Sequence, residues 1–119
     1  MAVLPKPVRG DVFSARLDPT EGSEQAGTRP VVVVSRDAIN ANSPVVVIIP
    51  VTDAANVKRI YPSHVFLAKG SGGLKLDSVA KTEQIRAIQT SRFVAYFGRL
   101  EAGVLSRVEE ALKITLALR

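Results

Sequence analysis

The chain has 119 residues, 46% of them hydrophobic and 23% charged, enough for one domain over residues 1–119 whose core hides roughly two thirds of the unfolded surface. It has no cysteine and a single histidine, His64, which excludes disulfides, thiolate zinc sites, iron–sulfur clusters, a cysteine nucleophile, a multi-histidine metal site and a two-histidine acid/base pair within one chain. The net charge is +5; residues 101–119 balance Arg107, Lys113 and Arg119 against Glu101, Glu109 and Glu110, so the excess lies in residues 1–100, as expected of a protein that meets nucleic acid or of a merely soluble basic one.

The opening MAVLPKPVRG is too short and too Pro-rich for a signal-peptide core. No apolar run approaches the ~20 residues of a membrane-spanning helix. A cytoplasmic protein without membrane contact is expected.

Asp11–Leu17 reads as a first strand. Val31–Val34 and Val45–Ile49, the latter continued at Val51, are β-branched runs too short for stable helices. They read as an antiparallel pair in a core, with Asn40–Pro44 as a turn between them. His64–Leu67, bounded by Pro62 and Gly70, is a fourth strand. Val79–Ala80 and Gln84–Ile88 follow, separated by a kink at Lys81–Glu83, and Phe93–Arg99 is the last. Many short strands with Gly/Pro turns suggest a small barrel over residues 8–100.

Asp18–Thr28 and Lys69–Asp77 read as flexible loops. The second contains Lys69-Gly70-Ser71-Gly72-Gly73 but lacks the Gly-Lys-Ser/Thr ending and following helix of a phosphate-binding loop, so it reads as a plain hairpin loop. In the tail, Val104, Leu105, Val108, Leu112 and Leu116 form one apolar helical stripe, extended by Leu100 and Leu118. The helix is expected over residues 102–118, with Ser106 and Glu109 fitting a capping box.

The densest polar cluster is Gly22-Ser23-Glu24-Gln25-Ala26-Gly27-Thr28-Arg29-Pro30. Pro30 pushes Arg29 towards an extended conformation at the mouth of a buried strand. There its guanidinium can clamp a phosphate with two hydrogen bonds, or simply pair with Glu24 or Asp18. Thr52 and Asp53 end the next strand; if the two strands are neighbours, Arg29 and Thr52 come close. His64 suits a structural histidine as well as a chemical one. Along Glu83-Gln84-Ile85-Arg86, Gln84 and Arg86 share a face, and could read bases or merely face water.

Three stretches carry a resemblance: Arg9-Gly10-Asp11-Val12-Phe13, Leu17-Asp18-Pro19, and Gly22-Ser23-Glu24-Gln25-Ala26-Gly27-Thr28-Arg29-Pro30-Val31-Val32-Val33-Val34-Ser35. With Pro50-Val51-Thr52, Ser63-His64-Val65, Asp77-Ser78-Val79 and Glu83-Gln84-Ile85-Arg86 in the same order, the chain resembles the MazF/PemK toxins over nearly its whole length. Phe13 stands where Trp or Tyr is frequent, and Val51 where Ile is usual. The resemblance implies an SH3-like small β-barrel with a C-terminal helix, assembled as a homodimer. It implies the toxin of a type II toxin–antitoxin pair, blocked by a cognate antitoxin. Its implied activity is metal-free, sequence-specific cleavage of single-stranded RNA to a 2′,3′-cyclic phosphate and a 5′-hydroxyl.

The family's catalytic arginine and threonine map onto Arg29 and Thr52, and its loop serine onto Ser23. Glu24 and His64 are the candidate general bases. Gln25, Gln84 and Arg86 are plausible base readers, and Asp53 joins the substrate-binding candidates. No cofactor is implied. The same fold occurs in the CcdB toxins, which poison DNA gyrase through C-terminal residues including a tryptophan; this chain has no Trp. A non-catalytic RNA-binding barrel or a plain structural module would also fit the composition and the strand pattern.

Overall fold

The structure, a computed structural model, describes residues 3–119. Met1 and Ala2, where the segment read against a signal peptide begins, lie outside the described residues. Seven strands form one antiparallel sheet: β1 (Asp11–Arg16), β2 (Thr28–Val33), β3 (Val45–Asp53), β4 (His64–Leu67), β5 (Ser78–Lys81), β6 (Arg86–Gln89) and β7 (Phe93–Arg99). A short helix α1 (Asp37–Asn42) joins β2 to β3, and helix α2 (Ala102–Leu116) follows β7.

Strand alternation divides the valine runs between two cores. Val31 and Val33 pack with Phe13, Ala15, Leu17, Val46, Ile48, Ile88 and Phe93. Val32 turns the other way, to Val12, Ile49, Val51, Leu67, Leu100, Val108 and Ala111. Burial on both faces explains why these strands read as uninterrupted apolar runs rather than polar–apolar alternation.

β3 is the organising strand. One edge pairs with β2, Val31 opposite Pro50. Its other edge serves two partners in turn, Val45–Ile48 pairing with β6 and Val51–Asp53 with β5. Pro50, which has no N–H to donate, stands where the partner changes. The segment from β5 to β6 crosses that point through a 3-10 turn at Thr82–Gln84, which overlaps the kink expected at Lys81–Glu83.

The sheet order is β4-β5-β3-β2-β1-β7, with β6 beside β3. The mainly β fold with a C-terminal helix is as expected, but the sheet is not closed into a barrel, and β4 and β7 end the strand path. Backbone packing between the glycine loop and β7 takes the place of closure on that side. A Cβ on Gly73 would lie 2.1 Å from the Phe97 carbonyl oxygen, and one on Gly72 would lie 2.5 Å from Val12. The loop joins β4 to β5 as a hairpin and forms a 3-10 turn at Ser71–Gly73.

Two local expectations are corrected. Asn40–Pro44 is not simply a turn, because Asn40 and Asn42 belong to α1. Asn40 is buried; its amide donates to the Ser35 carbonyl (2.8 Å) and Asp37 Oδ1 (3.1 Å), and its Oδ1 accepts from the Ser35 hydroxyl. Those tertiary bonds hold a six-residue helix that propensity alone would not. The Ser106–Glu109 capping box does not form either, since α2 starts at Ala102 behind Glu101. Glu109 instead receives Arg9 Nη2 at 2.6 Å.

Val108 and Ala111 bury the α2 stripe, flanked by Val104, Leu105 and Leu112, whereas Leu116 and Leu118 stay exposed. Thr82 ties the helix to the sheet: its hydroxyl donates to the Ser63 carbonyl at 2.6 Å and lies 2.7 Å from that of Thr115. Among the described residues, no helix is long and apolar enough to cross a membrane.

Candidate active site

Antiparallel pairing sets Val31 against Pro50 and Val32 against Ile49. Continuing that register by two residues brings Arg29 opposite Thr52. The Arg29 Nη1 donates to Thr52 Oγ1 at 3.2 Å, and its Nε donates to the Ala26 carbonyl at 2.6 Å. The guanidinium is therefore held at two points. Neither Glu24 nor Asp18, the surface partners open to it from sequence, is bonded to it. Thr52 is 5% exposed; because its oxygen accepts from Arg29, its own O–H is free to donate elsewhere.

This pair lines a cleft of about 450 Å³. Its lining comes from Ala26–Pro30, from Val51–Asp53, and from Leu74–Leu76 with Ser78 and Phe97. The last group is absent from the sequence expectations, because residues 69–77 read as a connecting loop. Burial of Leu74 anchors that group and leaves Leu76 exposed, with the Lys75 ammonium supplying a cation. The alternating Leu74-Lys75-Leu76 after the glycines is the signal that could have found it. Asp53 lines the same cleft, its Oδ1 accepting from the Ala55 N–H at 2.9 Å.

A second cleft of about 220 Å³ is lined by Glu24, Gln25, Pro50, Glu83, Gln84, Ile85 and Arg86. The β1–β2 loop thus presents Glu24–Gln25 to one cleft and Ala26–Gly27 to the other. The Gln84 side chain spans the loop: its Oε1 accepts from the Gln25 N–H and its Nε2 donates to the Ser23 carbonyl, both at 3.4 Å. Ser23 is exposed, and Glu24 Oε1 accepts from the Glu21 N–H at 2.9 Å. The Arg86 Nη1 donates to the Leu17 carbonyl at 3.1 Å.

His64 is not gathered into either cleft. Its Nδ1 accepts from the Tyr61 N–H at 3.3 Å, and its Nε2 lies 3.1 Å from Glu83 Oε2. The ring is 5% exposed and borders a groove between β4 and α2. Of the two candidate bases, then, neither Glu24 nor His64 lines the Arg29–Thr52 cleft. No group of three or more His, Asp or Glu side chains is placed to hold a metal ion among the described residues.

An antiparallel sheet with a C-terminal helix thus sets a fixed arginine beside a buried threonine in one cleft, a pairing of hydrogen-bond donors that suits an anionic ligand. Residues 8–116 match the family described as PemK-like, MazF-like toxin of type II toxin-antitoxin system, and the chain belongs to that family. It is 41% identical over 115 residues to the Mycobacterium tuberculosis endoribonuclease MazF9, covering 92% of this chain and 96% of that protein. It is 41% identical over 110 residues to Bacillus subtilis endoribonuclease EndoA, covering 92% and 94%. Among solved structures, MazF from Deinococcus radiodurans superposes with a TM-score of 0.81 at 28% identity, covering 96% of this chain and 99% of that one.

Proposed function

We propose that this chain is the endoribonuclease toxin of a toxin–antitoxin pair, cleaving single-stranded RNA at the Arg29–Thr52 cleft. The observation that carries the reading is the 3.2 Å contact between these two side chains, at the positions the family resemblance assigns to catalysis. The relatives named above as endoribonucleases support the same activity.

RNA brings its own nucleophile, so the protein needs chiefly to align and to stabilise charge. The 2′-oxygen attacks the adjacent phosphorus and the bond from phosphorus to the 5′-oxygen breaks. Overall one proton passes from the 2′-oxygen to the departing 5′-oxygen, giving a 2′,3′-cyclic phosphate and a 5′-hydroxyl. Arg29 donates to the non-bridging oxygens as negative charge grows on them. Thr52 adds its free O–H, and Lys75 draws the phosphate chain to the cleft by charge. Ser23, Glu24, Gln25 and Gln84, on the β1–β2 loop and its neighbour, face flanking nucleotides, and Asp53 borders the scissile one. Unstacked bases suit this arrangement, because A-form stacking resists in-line attack and hides base edges.

The reading includes a homodimer, an SH3-like description of the sheet and a cytoplasmic location. The open β4 and β7 edges, with Val94 and Tyr96 exposed on β7, favour a second copy, since free edges otherwise invite uncontrolled pairing. The +5 charge suits an acidic antitoxin segment that folds over the basic cleft. Incubating the protein with a long unstructured RNA in excess chelator, followed by mapping of 5′ ends, tests the activity. Discrete 5′-hydroxyl ends are expected; an intact RNA in the presence of the folded protein overturns the reading.

A further inference from the structure

The β1–β2 loop, residues 17–27, has little apolar anchorage. Leu17 is its last core residue, and Asp18, Pro19, Glu21–Glu24 and Ala26 are exposed. Yet its exit supplies the Ala26 carbonyl that orients Arg29. Three consecutive carbonyls at its entry are occupied by two guanidinium groups. The Arg92 Nη1 donates to the Arg16 carbonyl at 3.0 Å and to that of Asp18 at 2.6 Å. Arg86 takes the Leu17 carbonyl between them at 3.1 Å. The Leu17 N–H in turn donates to the Gly27 carbonyl at 2.9 Å, next to Ala26. Arg16 returns the contact by donating from Nη2 to the Ser91 carbonyl at 3.1 Å.

We infer that Arg86 and Arg92 are positioning residues that clamp the entry of the β1–β2 loop and so fix the Ala26 carbonyl that aims Arg29 at the scissile phosphate. The path is continuous: Arg86 to Leu17, Leu17 to Gly27, the adjoining Ala26 to Arg29, Arg29 to Thr52. Arg86 acts through the peptide groups of the loop rather than on a base. One guanidinium nitrogen carries the bonds in each case, and the two N–H groups of Arg92 Nη1 allow it to hold both of its carbonyls. Small misplacements of a catalytic group are costly, about 100-fold in rate for roughly 1 Å.

The kinetic part of this inference rests on the nuclease reading; the structural part does not. The test compares wild type with Arg86→Ala, Arg86→Lys and Arg92→Ala on a synthetic RNA carrying the site mapped for the wild type. It also follows amide hydrogen exchange over residues 17–28 and the Arg29 Nε–H resonance in free protein. Arg86→Ala is expected to lower kcat about 10- to 100-fold, with KM within roughly threefold and the cut sequence unchanged. Loop amides should exchange faster and the Arg29 resonance should move. Arg86→Lys should recover part of each effect, and Arg92→Ala should repeat them.

A raised KM or altered cut sequence with the Arg29 resonance unmoved overturns the inference and makes Arg86 a substrate contact. An unmoved resonance and unchanged exchange in all three variants also overturn it. If Arg86→Ala does not fold, Arg86→Lys and Arg92→Ala carry the same decision. If the wild type cuts no RNA, the nuclease reading falls, while exchange and the Arg29 resonance still decide the clamp.

Discussion

Arg29 and Thr52, 23 residues apart in sequence, meet through a 3.2 Å hydrogen bond in which the guanidinium donates and the hydroxyl accepts. The direction matters. An arginine has no acceptor and a threonine hydroxyl has one proton, so the contact consumes a donor of Arg29 and leaves that of Thr52 available. Both side chains line one cleft, and each retains a donor that a growing oxyanion there could use.

Replacing Arg29 by Ala removes the principal donor from a half-exposed site. Cleavage is expected to fall by at least about 100-fold with little change in folding. A quantitative primer-extension assay beside a thermal melt checks both halves. A variant that cuts as fast as wild type would remove Arg29 from the mechanism.

Thr52→Val keeps the shape and deletes the hydroxyl, whereas Thr52→Ser keeps the hydroxyl. The valine variant should lose roughly 10- to 100-fold in kcat, comparable with loss of a weaker oxyanion donor. The serine variant should stay near wild type. Equal activity of the two would show that the buried threonine serves packing alone.

Gly73 has φ +76° and its added Cβ would meet the Phe97 carbonyl, while Gly22, at φ +55°, has open space around it. Gly73→Ala combines backbone strain with a clash and should cost roughly 2–5 kcal/mol. Gly22→Ala carries only the strain, about 1–2 kcal/mol. Urea unfolding of the pair separates the two contributions; similar losses would mean that the loop moves away from β7 without penalty.

Asp37 has its carboxyl held below the ordinary aspartate value of 3.8, first by the Arg9 N–H and then by the Asn40 amide. A folded-state pKa that is depressed stabilises the fold fully above the unfolded value, and this contribution fades as pH falls through the folded value. The stability difference between wild type and Asp37→Asn should therefore be constant above about pH 5 and shrink on acidification below it. A difference that grows towards low pH would contradict the sign.

Much of the architecture was legible. The β-branched runs at residues 31–34 and 45–49, the strands at His64–Leu67 and Phe93–Arg99, and the terminal amphipathic helix appear close to where β-branched composition, flanking turn residues and helical spacing place them. These signals are local, because each strand or helix must bury a face set by its own period. Where tertiary bonds outweigh local preference, reading fails: Asn40 looks like a turn residue because its helix depends on Ser35 and Asp37. Glu109 looks like a cap because its partner, Arg9, lies 100 residues away.

The candidate site divides in the same manner. Composition, by withholding cysteine and all but one histidine, pointed to chemistry that works largely by positioning and electrostatics, and Pro30 marked Arg29 as held in extended backbone. Only the tertiary structure decided which polar residues share a cleft. The β2–β3 register joins Arg29 to Thr52, the loop turns Glu24 and Gln25 towards Gln84, and β4 carries His64 to a separate groove. It also supplied the Leu74–Leu76 lining and the guanidinium clamp on residues 16–18. Strand periodicity says which face a side chain takes, but register and loop path, set by long-range packing, decide what it meets there.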